Sequence, residues 1–339
     1  MKVYHSPYQL LHAPTLELQN GELVPYAEKT QRVAAMLGAL GDTEPPQDFG
    51  LAPITAIHDA TDVEFLQSAH MRWTEAGRPG DAFPYVFPIR RRRPLNLSRI
   101  DAALGQYAYD CGTPIAEGTW QAAYWNAQTA IAGMEAVMSG EANAFSLCRP
   151  PGHHAGADYM GGYCYLNNVA IAAQFALDNG ASRVAVLDVD YHHGNGTQDI
   201  FYERSDVLTI SLHADPKTDY PFYWGHADET GVGKGKGTNL NLPMPRGTHW
   251  KTYQTQLARG LEAAAAFKPD CLLVPYGADT FSGDPISFFE IETEDYKSMG
   301  RDIASLGLPT LITMEGGYAI DALGANVASF LSGFQGHTG

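Results

Sequence analysis

From about residue 143 onward, short and mostly apolar runs alternate with stretches in which apolar residues return at helical spacing. The apolar runs are residues 144–148, 183–187, 207–211, 271–274 and 310–314, each of a length that suits a buried strand. The helical pattern falls between them, at 168–178, 250–267 and 294–305, and also upstream at 31–40 and 120–138. A strand that is apolar at every position, rather than at alternate ones, is covered on both faces, and intervening helices supply the cover. The pattern therefore predicts an α/β protein built on a parallel sheet.

One region breaks this rhythm. Residues 78–118 hold Pro79, Pro84, Pro88, Pro94 and Pro114, together with four consecutive arginines, Arg90 to Arg93. Proline at that density interrupts helix and sheet alike, which predicts a long irregular insertion of the kind that often carries function. No internal repeat is visible, and 339 residues lie within reach of one large α/β domain. The expected organisation is a single domain, 1–339, with an inserted loop at about 78–118.

Every strand candidate runs straight into a polar motif. The first leads to Arg149-Pro-Pro-Gly-His-His154 and the second to Asp188-Val-Asp-Tyr-His-His-Gly-Asn195. The third leads to Leu212-His-Ala-Asp215, the fourth to Gly277-Ala-Asp279 and the fifth to Glu315-Gly-Gly-Tyr318. In open parallel sheets the ligand crevice lies at the carboxyl ends of the strands. Five such motifs are therefore expected to converge on one crevice.

The residue types in that crevice suit metal-assisted hydrolysis. Asp190 and His192 are two apart, so in an extended chain both side chains lie on one side, where a carboxylate and an imidazole can share a divalent cation. Asp279, from another strand end, is the candidate third ligand; two carboxylates and one imidazole leave positions open for water and substrate. His153 and His154 follow a Pro-Gly turn and can exchange a proton with water and with a leaving amine. Asp188 and Asn195 are available to fix the tautomers of those rings. Tyr318, after two glycines, can donate to a developing oxyanion.

Composition narrows the partners. Hydrophobic residues make up 45% and charged residues 18%, as in globular proteins, and 22 basic against 38 acidic residues leave a net charge of −16. Such a field repels nucleic acid and mildly favours a cationic substrate. Arg90 to Arg93 are a single cluster on an acidic chain and are expected to pair with acidic groups, across a subunit interface or within one. Gly231-Val-Gly-Lys-Gly-Lys-Gly-Thr238 has the look of a phosphate loop, but no Gly-Lys in it is followed directly by Ser or Thr, and a flexible surface loop is expected instead. The four cysteines, Cys111, Cys148, Cys164 and Cys271, form no Cys-x-x-Cys pair and are expected to be reduced thiols. The first residues lack the apolar stretch of a signal peptide, and no apolar run is long enough to cross a bilayer. The expected location is the cytoplasm, with no membrane partner.

Together the motifs resemble those of the histone-deacetylase-like amidohydrolases. The resemblance spans most of the chain: Arg32-Val33, the Pro-Gly-His-His turn, Gly161-Gly-Tyr-Cys-Tyr-Leu-Asn-Asn168, Asp188 to Gln198, Gly277 to Thr280, Gly283-Asp-Pro285 and Glu315 to Tyr318. It is narrower still to the bacterial acetylpolyamine amidohydrolases through Gly21-Glu-Leu-Val-Pro25, Phe87-Pro-Ile-Arg90 and Asp284-Pro-Ile-Ser-Phe-Phe289. The family fold it implies is a three-layer α/β/α sandwich on a mainly parallel sheet, the arginase/deacetylase-like architecture.

By position, the resemblance implies zinc or iron(II) at Asp190, His192 and Asp279. It makes His154 the main general base and acid, with His153 as its partner, and Tyr318 the residue that polarises the acetyl carbonyl. Tyr163 and Tyr220 match the walls of a narrow tunnel, and the Gly162 carbonyl orients the amide. Ser211 and Asp188, with the backbone of Asp190, His192 and Leu212, match a structural potassium site. In polyamine members the insertion helps to form a homodimer that narrows the tunnel, and acids near its mouth attract the distant ammonium; Glu17 and Asp101 stand at matching positions. A further acid of some members falls at Gly112 here, with Glu117 close by. Asn195 stands where many histone deacetylases have Asp, and Ile286 where the eukaryotic polyamine deacetylase has Glu.

The expected activity is hydrolysis of N-acetyl groups from acetylated polyamines of the acetylputrescine, acetylcadaverine and acetylspermidine class, releasing acetate. Deacetylation of acetyl-lysine or other small acetylated amines is the nearest rival. A ureohydrolase-like enzyme with two manganese ions and a non-catalytic sensor of acetylated ligands are the others.

Overall fold

A computed structural model describes residues 1–88 and 95–336 of the chain. The arginine run at Arg90 to Arg93 lies outside the described residues. In chain order the strands are β1 (Lys2–Tyr4), β2 (Leu16–Gln19), β3 (Glu22–Pro25), β4 (Asn143–Ser146), β5 (Val184–Asp188), β6 (Val207–Ala214), β7 (Asn239–Met244), β8 (Cys271–Tyr276) and β9 (Thr310–Met314). Seven of them form one sheet in the order β1-β4-β9-β8-β5-β6-β7, with every neighbouring pair parallel. β4, β5, β6, β8 and β9 are buried at every position, as their apolar runs require of strands covered on both faces.

Two groups of helices provide the cover. Thr119–Met138 and Asn168–Asp178 pack on each other and against β4 and β5, while Gln31–Leu40, Thr293–Ala304 and Ile320–Gln335 pack together and Trp250–Phe267 lies on β5, β6 and β7. Local chemistry sets their ends. Asn167 caps Asn168–Asp178 by accepting the backbone N–H of Ala170 at 2.9 Å, and Glu292 with Asp295 forms a capping box at the start of Thr293–Ala304.

The topology decides where the chemistry lies. After β5 the chain lays β6 and β7 outward, then returns to insert β8 and β9 between β5 and β4. The five strands that carry the polar motifs thereby become consecutive, as β4-β9-β8-β5-β6. Their carboxyl ends form one continuous crevice.

Several elements differ from the pattern-based expectation. β6 runs on to Ala214 because β7 pairs with it as far as the Ala214–Met244 register. β7 itself shows no apolar run: its Asn239 and Asn241 are buried, and each donates from Nδ2 to Oε1 of Gln198, at 2.9 and 2.8 Å. The insertion is less irregular than expected, since it contains a short helix, Ile100–Ala103, and a 3-10 turn, Leu104–Gln106. Its base is closed by paired backbone hydrogen bonds between Ala82 and Ile115 at 2.9 and 3.0 Å. The 231–238 loop is not free on the surface: Val232 N–H donates to Tyr202 O at 3.0 Å and Thr238 Oγ1 to Arg204 O at 2.8 Å. β2 and β3 make a separate antiparallel hairpin through Asn20 and Gly21, whose φ angles of 51° and 87° suit a tight two-residue turn. Among the described residues no helix is long and apolar enough to cross a membrane.

Candidate active site

β5 ends in Asp188, and the chain beyond it holds Asp190 and His192 over the edge of the sheet. The neighbouring β8 delivers Asp279 beside them. One donor atom from each of Asp190, His192 and Asp279 lies within 4.8 Å of the others. His192 Nδ1 is 3.0 Å from Asp279 Oδ2 and 3.4 Å from Asp190 Oδ1. The backbone is fitted around the carboxylates: Gly316 N–H donates to Asp190 Oδ2 at 2.8 Å and Tyr191 N–H to Asp279 Oδ1 at 3.0 Å. A Cβ on Gly277 would lie 2.0 Å from Asp190 Oδ2, and one on Gly316 would lie 2.3 Å from Asp279 Oδ2. Only glycine leaves room for these side chains.

The electrostatics also call for a cation here. Asp190 and Asp279 are fully buried, which penalises two negative charges side by side. Burial, joined by the charge of Asp190, pushes Asp279 up to about 7, although His192 opposes it. Burial likewise acts against ionised Asp190, but His153 and His192 outweigh it and hold its pKa well below the usual carboxylate range. Two carboxylates and an imidazole with converging lone pairs fit a divalent metal ion.

The two vicinal histidines have different partners. His153 Nδ1 faces Asp188 Oδ2 at 2.9 Å, whereas His154 Nδ1 faces Asn195 Oδ1 at 2.7 Å. Burial lowers both pKa values. For His153 the charges of Asp188 and Asp190 outweigh it and raise the pKa to about 10. For His154 the neighbouring His153 and His192 add to burial, and the pKa falls well below the usual histidine value. The turn that presents the pair is clamped by Glu315, whose Oε2 accepts the N–H groups of Gly152 at 2.6 Å and His153 at 3.1 Å.

Above this floor lies a cavity of about 280 Å³, lined among others by Glu17, Asp110, Gly162, Tyr163, Tyr220, Ile286 and Tyr318, with His154 and His192 at its base. Tyr318 is held from below by Arg32, whose guanidinium carbon lies 5.1 Å from the ring centroid. Arg32 Nε also donates to Gly317 O at 2.7 Å, so it shapes the whole Glu315–Tyr318 turn. Glu17 reaches the cavity from the β2–β3 hairpin. Its Oε2 is buried without a hydrogen-bond partner among the described residues, and burial pushes its pKa up to about 7 against the pull of Tyr163 and the Ala27 backbone.

Asp101 is not brought to this cavity. Its carboxylate is taken by Arg78, at 2.8 Å, and by Arg99 Nε, at 3.1 Å. Of the residues matched to a potassium site, Asp188 is in register with Ser211 at the end of β5, and Asp190 N–H donates to Asp188 Oδ1 at 3.1 Å; Ser211 Oγ is 2.8 Å from His213 Nδ1. Asp110 and Gly112 line the cavity and Glu117 does not, although the family resemblance points to Gly112 and Glu117. Asp110 sits in the proline-bounded insertion, where no periodicity indicates which residue faces inward, and its place beside Gly112 was the available signal.

Comparison with known proteins agrees with this geometry. The Histone deacetylase domain family matches residues 26–334. The chain is 48% identical over 341 residues to acetylpolyamine amidohydrolase 2 of Pseudomonas aeruginosa, covering 99% of each. It is 46% identical over 339 residues to the acetylpolyamine amidohydrolase of Mycoplana ramosa, covering 98% of this chain and 99% of that one. The fold superposes on a crystal structure of an acetylpolyamine aminohydrolase from Burkholderia pseudomallei with a TM-score of 0.96, at 41% identity over all of both chains.

Proposed function

The chain belongs to the histone deacetylase family, and from that premise we propose that it hydrolyses the acetamide bond of acetylated polyamines, releasing acetate and the free amine. The observation that carries this reading is one cavity with His154 and His192 at its base, where His192 belongs to the cluster with Asp190 and Asp279, and with Glu17, which has one unpaired carboxylate oxygen, in its wall. The base supports amide hydrolysis, and the wall supports a substrate whose far end is cationic.

Asp190, His192 and Asp279 would hold the metal, zinc or iron(II). When bound, such an ion polarises the acetyl carbonyl and acidifies a water molecule. The residues do the rest. Asn195 Oδ1 can only accept, so it keeps a proton on His154 Nδ1 and leaves Nε2 free. His154 Nε2 takes the proton of the attacking water and later returns it to the departing amine. His153, backed by Asp188, stays protonated and contributes positive charge beside the site. The Tyr318 hydroxyl donates to the oxyanion as the carbonyl carbon becomes tetrahedral.

Tyr163, Tyr220 and Ile286 confine the alkyl chain, Gly162 O accepts from the amide N–H, and Glu17 pairs with the distal ammonium. Asp188, Ser211 and the backbone of Asp190, His192 and Leu212 would hold a potassium ion that ties β5 to β6. We read residues 1–339 as one cytoplasmic domain that acts as a homodimer. In the dimer the insertion at 78–118, with Asp101 and its arginine partners, narrows the entrance. A panel of acetylputrescine, acetylspermidine and an acetyl-lysine peptide, run on metal-stripped protein and on protein reloaded with zinc or iron(II), tests the proposal. Turnover should appear only on reloading and should favour the acetylpolyamines; a preference for the peptide would overturn the substrate assignment.

A further inference from the structure

Asp110 is the carboxylate in the cavity to which this chemistry gives no task. It is already surrounded by donors. Its Oδ2 accepts from Gly162 N–H at 2.7 Å and from Tyr220 Oη at 2.7 Å, and its Oδ1 accepts from Gly112 N–H at 3.1 Å. Three residues on, Thr113 Oγ1 accepts the N–H of Tyr163 at 3.0 Å. One short segment of the insertion therefore holds two successive N–H groups of the Gly162–Tyr163 turn.

That turn needs holding. Gly162 and Tyr163 both have left-handed backbones, with φ of 56° and 66°. A tyrosine persists in that region only where its surroundings over-determine it. The turn is also pressed against the base of the cavity, since a Cβ on Gly162 would lie 2.2 Å from His154 Cδ2. Across the cavity, the Tyr220 ring meets those of His154 and His192 edge-on, at centroid distances of 5.2 and 6.1 Å. Asp110 is bonded to both walls at once.

We propose that Asp110 is a positioning residue that ties the Gly162–Tyr163 turn to Tyr220, fixing the width of the channel and the seat of the acetamide against His154. The inference rests on the amide-hydrolase reading above. The competing role for Asp110 is as a ligand for the substrate's ammonium. The hydrogen bonds speak against it: Oδ2 already accepts two donors, which fills that oxygen's lone pairs, and Oδ1 accepts a third, whereas Glu17 has a buried oxygen with no partner. A misplacement of the amide by about an ångström costs on the order of 100-fold in rate, so the clamp should be visible in turnover.

Wild-type protein, Asp110→Ala, Asp110→Asn and Thr113→Val are compared on acetylputrescine and on N-butylacetamide, its uncharged analogue, with metal content and melting temperature recorded alongside. Asparagine can place its carbonyl oxygen where Oδ2 lies and keep both wall contacts, losing that to Gly112. The expected result is a fall in kcat on the order of 100-fold for Asp110→Ala on both substrates alike. Asp110→Asn should stay within roughly tenfold of wild type, and Thr113→Val should show a smaller loss that is also independent of substrate charge. The proposal is overturned if Asp110→Ala keeps wild-type turnover. It is equally overturned if Asp110→Asn is as impaired as Asp110→Ala on acetylputrescine while N-butylacetamide is spared, because charge would then be what matters. Should Asp110→Ala fail to fold, Asp110→Asn and Thr113→Val still decide the question. Wild-type protein without turnover of acetylputrescine would count against the proposed function instead.

Discussion

His154 rests on an amide, Asn195 Oδ1, at 2.7 Å. Its neighbour His153 rests on a carboxylate, and the difference separates their roles. With a carboxylate behind it and a pKa raised to about 10, His153 holds its proton throughout the neutral range. His154 has no such partner and remains an unprotonated base.

Replacing Asn195 with Asp should blur that distinction. A carboxylate behind His154 favours its imidazolium, so the neutral base appears only at higher pH. The acidic limb of the kcat/KM profile should move to higher pH, by about a unit or more. Asn195→Ala should move the limb, if anything, to lower pH, since the Asn195 contact raises the His154 pKa, and should lower kcat by about 10- to 100-fold, because the ring loses the group that orients it. A pH–rate profile of the two variants checks both.

Tyr318 should matter to the transition state rather than to binding. Tyr318→Phe keeps the ring over Arg32 and removes one oxyanion donor. The expected loss is about 100- to 1,000-fold in kcat, with little change in KM and with normal metal content. Steady-state kinetics alongside metal analysis of the same sample separates this from a damaged metal site.

Glu17 predicts a pH dependence of binding. Its pKa is pushed up to about 7, so it is neutral below that pH and charged above it. KM for acetylputrescine should therefore fall as pH rises through 7, while KM for an uncharged alkyl acetamide stays flat. Glu17→Gln should remove the dependence and raise KM by about 10- to 100-fold at pH 8. Stability runs the opposite way. The folded state binds this proton more tightly than the unfolded chain, whose carboxyl titrates near the ordinary value of 4.5. Folding is therefore penalised as pH climbs from that value through 7, and the penalty is complete above it. Glu17→Gln should accordingly melt at a higher temperature than wild type at pH 8, the common exchange of stability for function.

Gly316 should control metal retention. A Cβ there would lie 2.3 Å from Asp279 Oδ2 and 2.7 Å from Asp190 Oδ2, so the ligands must move. Gly316→Ala should lose at least about tenfold in metal affinity, measured by competition with a chelator. Removing the metal from wild-type protein should lower its melting temperature, since two buried carboxylates lose their counter-charge.

Much of this site could be located before any coordinates. Helices at 31–40, 168–178 and 250–267 and the strand at 310–314 have the bounds that their periodicity indicates, because each is long or apolar enough to bury one consistent face. The helix Ile320–Gln335 was not indicated. It carries Gly333, where a Cβ would lie 1.9 Å from Lys297 O, so tight packing between helices required a residue that weakens the local signal. β7 was hidden for a related reason: its buried asparagines are satisfied by Gln198, from another element.

The sequence by itself determined which polar motifs meet at the crevice, because a polar motif directly after a buried strand has few places to go except the strand's end. What only the tertiary structure decided is which of those motifs are neighbours and which groups are left unpaired. The return of β8 and β9 between β5 and β4 brings Asp279 to His192. The β2–β3 hairpin places Glu17 in the wall with a free oxygen, Arg78 and Arg99 draw Asp101 away from it, and Asp110 is bound between Gly162 and Tyr220. Those outcomes depend on strand order and on contacts between residues distant in the chain, to which a local pattern is blind.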